Sequence, residues 1–455
     1  MLLTAKHIHF IGISGIGISA IAKWALENNK QVTGSDLSIQ LTSRWLIDHG
    51  ANIKIGQHKA GNLRQGCDLV IYSNAIPENN IELISAKKRN IPCISYPQAI
   101  NELMQNKNGI AIAGTHGKST TTGLLAQILI EARKDPTIIV GTRLRILNGT
   151  NERIGQGKEF LVEADEYRRA FLDYKPNIAA ILNIDFDHVD VYKNESEYLQ
   201  VFKTFAGRLP KDGFLILNKS DKNSNELVNS TKAKVITFAL LGADLTASNI
   251  ISSEQGLTFD VNGLYSGHIQ TSLFGQHNIL NVLAALGVAK VLNIKFEIAK
   301  KAIQNFSGCW RRFEKRGEWQ GAIVIDDYAH HPTELRATLG ATRQAFPNRR
   351  IICVFQPHQK IRTQQFLREF VQVLKLADLK IIPEIYQVAG REENLNISSQ
   401  EIVDLAGSNA YYAKNIADAV EITKKLLKPK DIILTVGAGD ITNFYSFAKN
   451  KIPNG

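Results

Sequence analysis

The stretch Gly114-Thr-His-Gly-Lys-Ser-Thr120 decides how this chain is read. Before it, the small apolar run Ile110 to Ala113 has the composition of a buried strand. After it, Thr121 to Arg133 carries apolar residues at helical spacing. A strand, a glycine-bearing loop ending in Lys-Ser and then a helix are the context of a phosphate-binding loop. There, successive backbone N–H groups and the helix N-terminus face a polyphosphate. Lys118 is placed to reach the outer phosphates and Ser119 to hold a magnesium ion. Only two residues separate Gly114 from Gly117, so the loop is shorter than the usual G-x-x-x-x-G-K-[ST] form.

Toward the N-terminus, residues 7 to 13 form a strand pattern leading into Gly12-Ile-Ser-Gly-Ile-Gly17, and a helix pattern follows. A second strand, 31 to 33, runs into Gly34-Ser-Asp36. A glycine turn with an acid about twenty residues on opens a doubly wound domain. Ser14 occupies the second glycine position, so the turn is not a strict G-x-G-x-x-G and does not separate a dinucleotide from a UDP-sugar. Asp36 lies near a sugar or caps the turn. Further on, a strand over 68 to 72 ends at Ser73-Asn74, where parallel sheets bind ligands. Polar residues 105 to 109 read as a linker to the next domain.

Toward the C-terminus, a strand over 137 to 141 leads into a Gly- and Arg-rich loop through Gly157. The strand Phe160 to Glu166 ends in three carboxylates within four residues. Acids at a strand end beside a phosphate loop suit a magnesium–nucleotide. Another strand, 178 to 184, ends at Asp185-Phe-Asp-His188, where His188 is a metal or phosphate ligand or a structural histidine. A helix over 195 to 208 carries Lys203, read as a surface lysine. Strands over 213 to 217, 234 to 238 and 257 to 261 follow, with a hairpin at Asn262-Gly263. Phe274-Gly-Gln-His-Asn278 opens a long apolar helix, and Asn278 either caps it or reads a base edge. Beyond Ser307 to Phe313, strand–polar turn–helix recurs at Asp326-Asp327, Gln356-Pro-His358 and Gly437-Ala-Gly-Asp440, with further strands at 380 to 383 and 386 to 391. The recurrence describes a second doubly wound α/β domain.

Composition narrows the class. With 455 residues, 44% hydrophobic and 21% charged, the chain reads as a globular protein of about three domains. No apolar run approaches the roughly 18 residues of a membrane span, and Met1 to Phe10 lacks a signal-peptide layout. The four cysteines are far apart and form no CxxC pair, so neither zinc nor a disulfide framework is indicated and a reduced, cytoplasmic setting fits. The net charge of +11 is scattered, which favours anionic small molecules over nucleic acid.

Taken in order, these motifs resemble the Mur ligases of peptidoglycan synthesis, over nearly the whole chain and most closely their alanine-adding branch. The set is Gly12 to Gly17 with Gly34-Ser-Asp36, Gly114 to Thr120, Gly149-Thr-Asn151, Glu163-Ala-Asp-Glu166, Asp187-His188, Gly275-Gln-His-Asn278, Arg311-Arg-Phe313, Asp326 to Pro332, Gln356-Pro-His358 and Gly437 to Asp440. The resemblance implies three domains: a Rossmann-like UDP-sugar domain over 1–107, a central P-loop ATPase over 108–309, and a C-terminal doubly wound domain for the amino acid over 310–455. It implies ATP-dependent amide formation between UDP-N-acetylmuramate and L-alanine through an acyl phosphate, with magnesium. A tripeptide-adding recycling ligase and a non-catalytic nucleotide-binding regulator are the alternatives.

Roles implied by the resemblance follow residue by residue. Gly114, Thr115, His116, Gly117, Lys118, Ser119 and Thr120 hold ATP phosphates, Asn278 the adenine and Asp327 the ribose, while Arg312 meets the transferring phosphoryl. Ser119, Glu163 and His188 are magnesium-site residues, and Lys118, Glu163, His188 and Arg312 form the catalytic set. Ser14, Gly15, Ile16, Gly17, Asp36, Ser73 and Asn74 form the UDP-sugar site. Tyr328, His330, His358 and Arg362 line the amino-acid site. The chain departs from the branch at Ser14, at Thr142-Arg143, and at Arg168, which stands where acidic or small residues are common.

Overall fold

The computed structural model describes residues 1–188, 191–387 and 395–450. The chain divides into two compact units, one of residues 1–245 and 284–302, the other of residues 246–283 and 303–455.

The first unit opens with strands β1 (His7–Ile11), β2 (Gln31–Asp36), β3 (Asn52–Ile55), β4 (Leu69–Tyr72) and β5 (Cys93–Ser95). They form a parallel sheet in the order β3-β2-β1-β4-β5. The order reverses beside β1, and such sheets bind ligands at the carboxyl ends flanking that point. Short polar residues start the helices: the Asn80 side chain accepts from the N–H groups of Glu82 and Leu83 to cap Ile81–Lys88. Ser95 caps Tyr96–Met104, where Pro97 fits the first turn.

A second sheet in this unit contains β6 (Asn108–Ala113), β7 (Thr137–Leu144), β8 (Thr150–Arg153), β9 (Glu159–Glu163), β10 (Ile178–Ile181), β11 (Phe214–Asn218) and β12 (Lys234–Phe238). Its order is β12-β11-β10-β6-β9-β7-β8, parallel except for β8. Strand β6 begins inside the expected linker, because Asn108 and Gly109 pair with Glu159 and Phe160. The expected Gly- and Arg-rich loop folds instead as the β7–β8 hairpin. One apolar core joins the two sheets of the unit, from Ile8, Phe10 and Ile71 through Tyr174, Phe202 and Leu217.

Strand β13 (Leu245–Ser253) starts at the unit boundary, and β14 (Gly256–Gly263) and β15 (Gly267–Thr271) follow in the second unit. Strand β14 runs through Asn262-Gly263, so the turn to β15 lies beyond the expected hairpin position. The remaining strands are β16 (Glu314–Trp319), β17 (Ala322–Asp327), β18 (Ile351–Phe355), β19 (Leu379–Pro383), β20 (Ala410–Ala413) and β21 (Ile432–Val436). They form a sheet ordered β16-β17-β21-β18-β19-β20, with β16 alone antiparallel. Buried residues on both faces, Ile351 and Leu434 among them on one and Ile352 and Ile433 on the other, explain the unbroken apolar runs of its central strands. Of the strand expected at 386 to 391, residues 388 to 391 lie outside the described residues. Among the described residues no helix is long and apolar enough to cross a membrane.

Candidate active site

The phosphate loop joins β6 to the helix Lys118–Glu131. Gly114 has φ +127°, and a Cβ there would come within 3.0 Å of the Asn183 carbonyl oxygen. Gly117 caps the helix at φ +85°. Both positions need glycine for conformation, and the first also for space. The loop is pinned to the end of β10: Thr115 Oγ1 donates to the Asp185 carbonyl at 2.8 Å, and the His116 N–H donates to Asn183 Oδ1 at 2.8 Å.

Two carboxylates at the end of β9 take up the loop's functional side chains. Ser119 Oγ donates to Glu163 Oε1 at 2.9 Å, and the Gly141 N–H donates to Glu163 Oε2 at 2.7 Å. Lys118 Nζ donates to Glu166 Oε2 at 2.9 Å and to the Gly114 carbonyl at 2.7 Å. Glu166 is buried and also accepts from Tyr198 at 3.0 Å, with His188 Nε2 at 3.3 Å. Burial alone would raise its pKa, but Lys118 and His188 outweigh that and hold it well below the usual carboxylate range. Burial likewise opposes the charged forms of Lys118 and His188, and Glu166 raises both. Ser119 and Glu163 thus meet as a pair of hard oxygen donors that fits magnesium. His188 lies against Glu166, and these two with Asp165 bring candidate metal-ligand atoms within 4.8 Å of one another.

The expected UDP-sugar residues gather at the carboxyl ends of β1, β2 and β4. Gly12 adopts φ +78°, and a Cβ on Gly17 would lie 2.7 Å from Tyr96 Cζ. Asp36 buttresses the turn, accepting from the Ser14 N–H at 2.8 Å and the Ser38 N–H at 3.3 Å. The Ser14 hydroxyl donates to the Ser38 carbonyl at 3.1 Å. The β7–β8 hairpin reaches the turn as well: Asn151 Nδ2 donates to the Ile16 carbonyl at 2.6 Å, and Lys23 pairs with Glu152 at 2.7 Å. Lys203 pairs with Glu226 at 2.6 Å, both partly exposed.

The other expected residues belong to the second unit. Asn278 donates to the Phe274 carbonyl at 2.7 Å and accepts from Asn281 at 2.9 Å. Asp327 accepts from the N–H groups of Phe313 and Ala329, each at 2.8 Å, and burial pushes its carboxyl up to about 6 against the pull of Arg312. Arg312 and Arg311 both lie over the Tyr328 ring, 5.2 Å from its centroid. Buried Arg311 donates to Asp326 at 2.9 Å and to the Gly437 carbonyl, tying the segment before β16 to the ends of β17 and β21. His330 and His358 approach with ring centroids 5.9 Å apart, and Arg362 Nη1 lies 3.4 Å from His358 Nδ1.

Sequence reasoning placed Glu166 among the strand-end acids without its pairing to Lys118, and gave no role to Tyr198, Tyr96, Arg311 or Tyr386. Glu166 carried a signal, an acid at the strand end three residues beyond Glu163. The tyrosines carried none, because they arrive from helices and loops distant in sequence. Tyr386 stacks on His358 with centroids 5.7 Å apart.

A phosphate loop on a doubly wound parallel sheet defines a nucleotide-binding α/β protein. Residues 7–108 match the Mur ligase family catalytic domain, 112–289 the Mur ligase middle domain and 311–439 the Mur ligase glutamate ligase domain. The chain belongs to that family. It is 39% identical to the UDP-N-acetylmuramate–L-alanine ligase of Clostridium kluyveri, with 96% of each chain covered. It is 40% identical to the ligase of the same name from Caldanaerobacter subterraneus, covering 96% of this chain and 95% of that one. Among solved structures, the UDP-N-acetylmuramate–alanine ligase of Thermotoga maritima superposes with a TM-score of 0.81 at 28% identity, covering 98% of both chains. A murein peptide ligase from Psychrobacter arcticus gives 0.72 at 25% identity, covering 99% of this chain and all of the other.

Proposed function

We propose that the chain is an ATP-dependent ligase joining the lactyl carboxylate of UDP-N-acetylmuramate to the amine of L-alanine. The observation that carries the chemistry is the crossed pairing of Lys118 with Glu166 and Ser119 with Glu163 at one strand end. The near-full-length kinship to alanine-adding ligases carries the choice of substrates.

A carboxylate is a poor electrophile at neutral pH, so it must be activated. A carboxylate oxygen attacks the γ-phosphorus of ATP, the bond to the β-phosphate oxygen breaks, and ADP leaves. The alanine nitrogen then attacks the acyl carbon, loses a proton, and inorganic phosphate departs. Lys118 neutralises charge on the transferring phosphoryl, and the loop N–H groups orient it. Ser119, Glu163 and His188 are the residues that would hold magnesium, which would supply further charge neutralisation when bound. His188 keeps Glu166 ionised and placed. In the second unit, Arg312 is the cation for the phosphoryl, Asn278 and Asp327 contact the nucleoside, and Tyr328, His330, His358 and Arg362 surround the amino acid. Domain lines at 107/108 and 309/310 separate the three binding tasks. The substrates are those of a cytoplasmic enzyme that neither enters a membrane nor binds nucleic acid.

Phosphate release measured with ATP, magnesium and UDP-N-acetylmuramate, plus either L-alanine or the L-alanyl-γ-D-glutamyl tripeptide, tests this. Turnover with L-alanine is expected. Turnover with the tripeptide alone would favour the second reading, a murein peptide ligase, for which the likeness to the Psychrobacter structure speaks.

A further inference from the structure

Arg168, just beyond the carboxylates at the end of β9, is a cation that the mechanism above leaves unused. It and Arg169 are consecutive non-glycine residues in the left-handed region, with φ +50° and +60°. Left-handed backbone at a bulky non-glycine residue is strained, and such strain is stored at functional sites. Arg169 has a local purpose: its N–H donates to the Glu166 carbonyl at 2.9 Å and its guanidinium pairs with Glu197 at 2.8 Å. Arg168 instead leaves its own sheet. Its Nη1 donates to the Asn74 carbonyl at 2.6 Å, beyond the end of β4. Its guanidinium lies 5.6 Å from the centroid of the Tyr167 ring, and that ring meets His188 edge-on at 5.0 Å.

Arg168 is exposed and makes no ion pair with a described carboxylate. One guanidinium N–H is used on a neutral carbonyl, and the rest of a fork suited to a carboxylate remains. Its place is decisive. It stands two residues beyond Glu166, which takes up Lys118, and it touches the residue after Ser73, whose Cβ lies 3.1 Å from where a Cβ on Gly12 would be. One flank is therefore the phosphate loop and the other the glycine turn. A substrate with its diphosphate at the turn must deliver its carboxylate toward the loop, and Lys118 is committed to phosphate.

We infer that Arg168 binds the reacting carboxylate of the sugar nucleotide, from its position between the Asn74 carbonyl and the strand end that carries Glu163 and Glu166. This rests on the proposed ligase function. The Tyr167 face and the Asn74 carbonyl hold the guanidinium, and its free N–H groups offset charge repulsion between carboxylate and γ-phosphate.

The test is equilibrium binding of UDP-N-acetylmuramate and of UDP-N-acetylglucosamine, which has the diphosphate but no carboxylate, to the full chain without ATP. Arg168→Ala is expected to weaken UDP-N-acetylmuramate by about tenfold or more and to leave UDP-N-acetylglucosamine unchanged. Arg168→Lys should restore part of the loss, which a purely structural contact between the two sheets would not do selectively. Equal loss for both ligands, or none for either, overturns the Arg168 assignment alone. Wild-type protein that binds neither overturns the ligase reading and this assignment with it.

Discussion

Lys118 and Glu166 close on one another at 2.9 Å, with 14% and 1% of their side chains exposed. The phosphate-loop lysine is thus held ready by a buried acid, and that acid is shared with His188 and Tyr198. Glu166→Gln would leave Lys118 and His188 without the carboxylate that compensates their burial. Breaking a buried pair in this way costs about 3–5 kcal/mol. Denaturant unfolding at neutral pH should show a midpoint lowered accordingly; an unchanged midpoint would mean the pair is solvated.

Glu82 predicts an acid-sensitive N-terminal domain. Its buried carboxylate receives hydrogen bonds from His9 at 2.9 Å, Ser35 at 2.8 Å and Asn62 at 2.8 Å. Burial pushes its pKa up, but these bonds win and hold it at about 2. A carboxylate whose folded pKa lies below its unfolded one, about 4.5, stabilises the fold above that pH. The stability is lost as pH falls toward 2. Glu82→Gln should therefore cost about 3 kcal/mol at pH 7, and the gap from wild type should narrow progressively below pH 4.5. A gap constant from pH 7 to pH 3 contradicts this assignment.

Ser119 and Glu163 should behave as one unit in catalysis. Ser119→Ala and Glu163→Gln are each expected to lower kcat by about 100-fold or more, as loss of a transition-state contact does. The double variant should fall little further. Fully multiplicative losses in the steady-state rates would separate the two roles.

Gly17 sits in the first turn of Ile16–Glu27, where alanine on helix propensity alone would stabilise by about 1 kcal/mol. The approach of Tyr96 reverses the sign, since a Cβ would meet its ring at 2.7 Å. Gly17→Ala should destabilise by about 1–3 kcal/mol, and Tyr96→Leu in that background should recover part of the loss. A thermal melt showing Gly17→Ala more stable than wild type rules out the close contact.

What was legible in the sequence was what is local. Gly114, Gly117, Lys118 and Ser119 lie within six residues, and glycine conformation together with the flanking strand and helix fixed their meaning. Buried parallel strands such as Ile351–Phe355 announced themselves as apolar runs. Strand Glu314–Trp319 did not, because its sequence EKRGEW offers a half-exposed edge and no apolar alternation. Asn108 and Gly109 read as linker because pairing with Glu159 and Phe160, rather than their own propensity, makes them strand. The destinations of Tyr198, Tyr96 and Arg168 depend on chain crossings of tens of residues. No spacing rule reaches that far.

In the proposed chemistry the phosphate loop activates a substrate carboxylate by phosphorylating it. Ligation run with UDP-N-acetylmuramate carrying 18O in its lactyl carboxylate, ATP and L-alanine tests this most directly. With both carboxylate oxygens labelled, one 18O per turnover is expected in the released inorganic phosphate and the other in the amide. Unlabelled phosphate, with both labels absent from it at full turnover, would contradict an acyl phosphate and with it the role assigned to Lys118.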